Sequence, residues 1–302
     1  MPASTNLNQL VEKFLVRLSA QKQLRPATVK NYRFYLNKFI NWTKTQSPKL
    51  SSINELKPEH LKTYSSWLKA TNSISHQKLS AATQNYYLIA LRSFLKSLNQ
   101  NGLKAPTYQT VALNDYQPTK DPAKESEIKA TLKACQLSQE NDLIKQRDYA
   151  ILQLLLSAGL KVSEISKLTR DNLNPESATL DITSTKGKIR TIQLNQNTRQ
   201  AINDYLRRRH DTDIGLFISH DRAQVAAKRR QCQLHSLTAR SLQRITKHYC
   251  QAAGLKKKIT PSTLRDFFAQ TLLARGDKVE QIQTALGHTN ILTTRRYTKT
   301  RT

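Results

Sequence analysis

The chain has 302 residues, 49 of them lysine or arginine against 21 acidic, for a formal net charge of +28. That length holds one large or two ordinary domains, and 38% hydrophobic residues suffice for globular cores. No run of about 18 apolar residues exists, which excludes a bilayer-spanning helix, and the N-terminus lacks the charged-then-apolar order of a secretory leader.

So large a positive charge speaks about partners rather than fold. Nucleic acid is the leading candidate, and a membrane surface the weaker one. The excess is spread evenly: residues 1–104 carry 16 basic and 3 acidic residues, and the remainder carries the other 33 and 18. One basic tail would not give that distribution; two basic bodies gripping a duplex would. Cys135, Cys232 and Cys250 have neither disulfide-framework nor metal-ligand spacing, so a reducing, cytoplasmic home is expected.

Leu7, Leu10, Val11, Phe14, Leu15 and Leu18 predict a first amphipathic helix. Val29, Tyr32, Leu36, Phe39 and Ile40 predict a second, entered through Pro26, and 56–68 a shorter third with Pro58 near its start. Tyr87, Leu88, Leu91, Phe94, Leu95 and Leu98 predict a fourth, ended by Asn101-Gly102. The second and fourth look related. LRPATVKNYRFYLNKF aligns with LSAATQNYYLIALRSF at an offset of 55, through convergence on one core or through duplication. Lys30, Arg33, Lys38, Arg92 and Lys96 fall off the apolar faces, as a solvated surface or as contacts to DNA. Residues 105–122 hold three prolines and no sustained period, and are expected to link the two domains, 1–104 and 123–302.

In the second domain, 148–156 predicts a strongly apolar helix stopped near Gly159. The stretch GLKVSEISKLTRDNL follows. Leu180 and Ile182, then Ile189 and Ile192, flank Thr185-Lys186-Gly187-Lys188, the pattern of a hairpin with a glycine turn. Residues 220–258 are dense in cations. Within them a helix over about 238–253 has an apolar stripe of Leu242, Ile245, Tyr249 and Ala252. Arg240, Gln243, Arg244 and Lys247 lie on another face, either solvated or able to reach base edges in a major groove.

The last stretch, ITPSTLRDFFAQTLLARGDKVEQIQTALGHTNILTTRRYT, predicts three short helices. The first opens at Pro261 and stops by Gly276, the second runs from Val279 to a stop at Gly287, and the third starts near Ile291. Packing alone does not account for Arg265, His288 and Tyr297. Their order and spacing, LR…LGH…TT..Y, resemble the C-terminal signature of the tyrosine recombinases, the phage-integrase family that includes Xer-type resolvases.

That resemblance covers nearly all of the chain. It implies a mainly α fold with a small β-sheet: a two-domain DNA clamp of a helical SAM-like core-binding domain and a catalytic domain. It implies that Tyr297 is the nucleophile, Arg265 and His288 act on the scissile phosphate, and Lys186 protonates the leaving 5′-oxygen. The family's first arginine position is Lys161 here, and the first histidine of its HxLRH motif is Ser262, with Asp266 at the second. A guanidinium grips phosphate with two parallel N–H bonds whereas an ammonium is a point charge, so Lys161 argues for slowed chemistry. The chain also ends five residues after Tyr297, where family members often continue into a helix that docks on a neighbouring subunit.

The implied reaction needs no metal and no cofactor: site-specific cutting and rejoining of DNA through a 3′-phosphotyrosyl link, by a homo-tetramer or a hetero-tetramer with a paralogue on two sites. A catalytically impaired DNA-binding protein on the same fold is the alternative, and a type IB topoisomerase shares the chemistry but fits the helical first domain less well.

Overall fold

Apolar spacing becomes helix throughout the computed structural model, which describes residues 6–20, 24, 26–46, 48–73, 77–115, 122–184, 187–220, 236–256 and 258–298. The chain divides into two units, Met1–Thr119 and Lys120–Thr302. Among the described residues no helix is long and apolar enough to cross a membrane.

The first unit is four helices: α1 (Leu7–Ala20), α2 (Pro26–Lys44), α3 (Pro58–Ala70) and α4 (Ala81–Gln100). Pro58 sits in the first turn of α3, where its missing N–H costs nothing. Ser80 caps α4 by accepting the Thr83 N–H at 3.2 Å. The core gathers Phe14, Leu36, Phe39, Trp42, Tyr64, Leu91 and Phe94. Of the pairs aligned at offset 55, Leu24 with Leu79, Ala27 with Ala82 and Thr28 with Thr83 are not fully buried, whereas Leu36 with Leu91 and Phe39 with Phe94 are. Each such buried side chain contributes roughly 1.5–3 kcal/mol over an exposed one, so this part of the shared pattern is core-facing. Residues 105–115 of the expected linker lie against this unit. Val111 is buried in its core, and Asn85 and Asn114 exchange side-chain to backbone hydrogen bonds of 3.0 and 2.8 Å.

The second unit contains α5 (Glu125–Gln136), α6 (Asp142–Ala158), α7 (Val162–Ile165), β1 (Leu173–Asn174), β2 (Thr179–Thr183), β3 (Ile189–Gln193), α8 (Gln196–Arg207), α9 (Ala239–Ala252), α10 (Pro261–Ala274), α11 (Val279–Leu286) and α12 (Ile291–Arg295). Its core is built on α6, whose Ala150, Ile151, Leu152, Leu154 and Leu155 are fully enclosed. The strands form an antiparallel sheet in the order β1-β2-β3. Leu180 pairs with Ile192, and Ile182 with Arg190. Ile189 does not face inward; it is 63% exposed, and Arg190 takes the inward position. Side chains alternate along a strand, so with Ile192 inward, residue 190 must point the same way and 189 the other. The hairpin is closed by Ser184 N–H to Lys188 O at 2.8 Å, with Gly187 at φ +82°. Lys186, expected at the turn, lies outside the described residues, as do Lys228, Arg229 and Arg230.

Buried polar bonds fix α9 on this core. Tyr249 donates to Asp148 Oδ2 at 3.1 Å, and Arg147 donates to the Ile218 carbonyl at 3.0 Å. The first of these bonds ties α9 to α6.

Candidate active site

Two helix ends create the site. Gly159 terminates α6 with a left-handed φ of +55°, and Gly287 terminates α11 at +62°. Neither position has room for a side chain. A Cβ on Gly159 would run into the Phe268 ring, and one on Gly287 would sit 2.6 Å from the Arg190 guanidinium. Beyond Gly287 the chain closes a Schellman turn: Gly287 N–H bonds Thr284 O, and His288 N–H bonds Gln283 O, each at 3.0 Å. This turn fixes His288 in space.

Arg265, on the first half of α10, lies between those two ends and is only 7% exposed. Its guanidinium donates to the Gly159 carbonyl at 2.5 Å and to the Leu286 carbonyl at 2.6 Å. Both acceptors are helix C-terminal carbonyls, where orphan oxygens and the negative end of the helix dipole favour a cation. Burial pushes the Arg265 group below its ordinary value, and the charge of Glu164 opposes that. Two of its five donors are used here, which leaves the rest of the fork for an anion.

Glu164 is the counterweight. It is 2% exposed and takes both ends of Arg190, at 3.1 and 3.0 Å. Its Oε2 also accepts the Lys161 backbone N–H at 3.0 Å, which sets the start of α7 and so the position of Lys161. Burial alone would push the Glu164 carboxyl up. The Arg190 hydrogen bonds, the Lys161 N–H and the charges of Arg190 and Arg265 outweigh it and hold the group below the usual carboxylate range.

His288 pairs its Nδ1 with the Thr294 hydroxyl at 2.9 Å. Burial first, then the charges of Arg265, Lys161, Arg296 and Arg190, push its imidazole down to about 4. The ring is therefore neutral at neutral pH, and four cations converge on it against two carboxylates, Glu164 and Asp266. Such a cluster is built for an anion.

Tyr297 follows α12 and is 5% exposed, its ring packed with Ala269, Ile282 and Leu286. Its hydroxyl donates to Asp266 Oδ1 at 2.7 Å. Arg296 lies over the ring at 4.8 Å and donates to both the hydroxyl, at 2.7 Å, and Asp266, at 3.0 Å. Burial pushes the phenol up, the Arg296 hydrogen bond pulls it down, and the Asp266 contact raises it again, for a net rise.

The fold thus brings Lys161, Arg265, His288 and Tyr297 into one electrostatic cluster. Ser262 is exposed on the first turn of α10, three residues before Arg265. Sequence reasoning missed Arg190, Arg296 and the contact of Asp266. Arg190 had a signal: a charged residue at the strand parity of Ile192 must find a buried partner.

The expected DNA-contacting residues divide. Arg240, Gln243, Arg244 and Lys247 are all exposed on one face of α9. In the first unit Lys30 is exposed, Arg33 pairs with Glu12, and Arg92 and Lys96 lie over the Tyr108 ring at 5.8 and 5.5 Å.

Residues 123–302 match the model of the phage integrase family, and residues 11–102 match that of the phage integrase N-terminal SAM-like domain. The tyrosine recombinase XerC of Pseudomonas syringae pv. tomato is 28% identical over 298 residues, spanning 97% of this chain and 91% of the relative. The tyrosine recombinase XerD of Vibrio cholerae is 27% identical over 292 residues, 96% of this chain and 91% of its own. Among solved structures, the Tn1549 transposon integrase in complex with a circular intermediate DNA shares the fold. Its TM-score is 0.72 at 19% identity, covering 97% of this chain and 95% of that one. A lambda integrase dimer bound to a COC′ core site does so too, also at 0.72, with 13% identity and coverage of 97% and 77%.

Proposed function

Since the chain belongs to the phage integrase family of tyrosine recombinases, we propose that it cuts and rejoins double-stranded DNA at specific sites through a 3′-phosphotyrosyl intermediate. The observation that carries this reading is the cluster of cations, the buried Arg265 among them, beside a tyrosine hydroxyl. Arg265, Lys161 and the neutral His288 hold the non-bridging oxygens of the scissile phosphate, with the Ser262 hydroxyl as a further donor at its rim. Tyr297 attacks in line, the 5′-oxygen leaves, and Lys186 protonates it. The work is positioning and neutralisation of developing charge rather than redox or nucleotide chemistry. The covalent link retains bond energy, so a second 5′-hydroxyl reseals the strand. Four subunits on two duplexes, alike or shared with a paralogue, complete an exchange. The exposed α9 face enters the major groove with Gln243 and Arg244, and the first unit adds Lys30, Arg33, Arg92 and Lys96 on the phosphates. The relatives' names, XerC, XerD and an integrase solved with circular DNA, support a recombinase over a relaxing topoisomerase.

The test is a nicked suicide duplex carrying the sequence that the protein itself selects from a random pool. Wild type should trap a covalent adduct, and Tyr297→Phe should trap none while binding equally well. Lys161 and Ser262 favour the impaired alternative, the first because it withdraws a bidentate grip and the second because a hydroxyl shuttles no proton near pH 7. Lys161→Arg should quicken trapping by up to about 10²-fold, the scale of one transition-state donor. A wild type that binds its site tightly yet gives no adduct, while Lys161→Arg does, identifies a binding protein on a lapsed catalytic scaffold.

A further inference from the structure

Within that reading, one group at the nucleophile has no role yet. Asp266 sits directly after Arg265 on α10, with its carboxylate aimed across at the Tyr297 hydroxyl. We propose that Asp266 is the general base of the cleavage step and, on resealing, the acid that returns the proton. This rests on Tyr297 being the nucleophile, and it adds where the phenolic proton goes.

The geometry is that of a nucleophile and its acceptor. The Tyr297 O–H already donates to Asp266 Oδ1 at 2.7 Å, within the range a proton transfer needs, and no movement of α10 or α12 is required to make the contact. Arg296 bridges the two oxygens, at 2.7 Å to the hydroxyl and 3.0 Å to the carboxylate. It holds the pair in register and stabilises the anion whichever oxygen carries it. The other candidate acceptor, His288, bonds Thr294 through Nδ1, and burial with the surrounding cations makes its ring a weak proton acceptor, whereas no hydrogen bond joins it to the Tyr297 hydroxyl among those of the described residues. Lys161 and Arg265 are cations and donate only.

Such help is needed because Tyr297 is sheltered from solvent and its phenol is pushed above its ordinary value. Arg265 and Arg296 are the cations that face it, and Asp266 the carboxylate. A carboxylate beside a phosphodiester is ordinarily repelled, but here Arg296 and Arg265 offset it. The step balances. As the Tyr297 oxygen bonds to phosphorus, its proton passes to Asp266 Oδ1 and the bond from phosphorus to the 5′-oxygen breaks, that oxygen taking a proton from Lys186. In the reverse step the incoming 5′-hydroxyl returns its proton to Lys186 as its oxygen bonds to phosphorus and displaces the tyrosine oxygen, which recovers its proton from Asp266. No oxidant, reductant or co-reactant enters.

The experiment is adduct formation on the same suicide duplex, single turnover, from pH 6 to 9, with the full chain. Asp266→Asn keeps an oxygen for the Tyr297 hydroxyl to bond but accepts no proton. It should slow trapping by about 10²–10⁴-fold at pH 7, and its rate should climb about tenfold per pH unit, because attack then waits on ionisation of the phenol. Wild type should be nearly flat, DNA affinity should not fall, and Asp266→Glu should restore part of the rate and the flat profile. A purely structural role would lower the rate of Asp266→Asn without tilting its pH profile, and that result overturns the proposal. Wild-type rate and profile in Asp266→Asn, with Tyr297→Phe inert, overturns it too and leaves the nucleophile assignment standing. An adduct that survives in Tyr297→Phe overturns the nucleophile assignment itself, and this inference with it.

Discussion

The second unit carries its cations in two ways. Around His288 they are fixed by bonds: the buried Arg265 to two helix-end carbonyls, the largely enclosed Arg190 to Glu164, and the half-exposed Arg296 to Asp266 and Tyr297. On α9, the cations Arg240, Arg244 and Lys247 stand exposed in a row beside Gln243. The difference follows from solvation. Withdrawing a charge from water costs several kcal/mol, so a buried cation persists only where fixed dipoles or a counter-charge offset that cost. An exposed cation keeps its water and needs no partner. The buried set is preorganised for one phosphate, and changing it should disturb fold and chemistry together. The exposed set can trade water for a groove, and changing it should disturb binding alone.

The largest expected effect breaks the buried set. Glu164→Ala strands Arg190 and removes the anchor of the Lys161 N–H, and loss of one partner of a buried pair costs about 3–5 kcal/mol. Thermal unfolding should fall accordingly, and adduct formation should be lost with it. A variant that melts like wild type would remove the distinction between the two sets.

A smaller effect probes the exposed set. Arg244→Ala and Gln243→Ala should leave melting unchanged and weaken binding to the selected site by about 1–3 kcal/mol each, the scale of a base contact. Binding to random DNA should weaken far less. Equal losses on both DNAs, measured at the same salt, would reduce this face to phosphate contacts.

The smallest effect is in pH. The His288 imidazole sits at about 4 in the folded protein, and an unfolded histidine lies near ~6.5. Between those values the unfolded chain binds the proton and the folded one does not. The stability that His288 contributes is therefore full above about 6.5 and is lost as pH falls toward 4. Wild-type melting should drop more steeply across that window than His288→Gln. Parallel curves would mean that the surrounding cations do not hold the ring neutral.

Much of the fold was legible because helices announce themselves by apolar period. The first unit's four helices, α6, α9 and the last three were each read from that spacing. The helices α5 and α8 were not, since their lysine, arginine and asparagine content buries the stripe of Ile128, Thr131 and Cys135, or of Ala201, Ile202 and Tyr205, among polar residues. In the site, Arg265, His288 and Tyr297 were legible as chemistry-bearing residues in a fixed order, and Lys161 by its place after Gly159-Leu160. Arg190 was not singled out, because its partner Glu164 lies 26 residues away in the chain.

What the sequence by itself determined is local. Its proline and glycine positions bound the helices, its apolar period chose their buried faces, and its charge pointed to a polyanion. What only tertiary structure decided is which charged groups meet. Arg265 lies 106 residues from Gly159 and 21 from Leu286, and Asp266 lies 31 from Tyr297, yet each pair is in hydrogen-bond contact. Periodicity reports which face an element buries, not what it meets there. Partners at such separations are set by how helices pack, and in a dry interior that packing decides whether a charge is stabilised, shifted or made reactive.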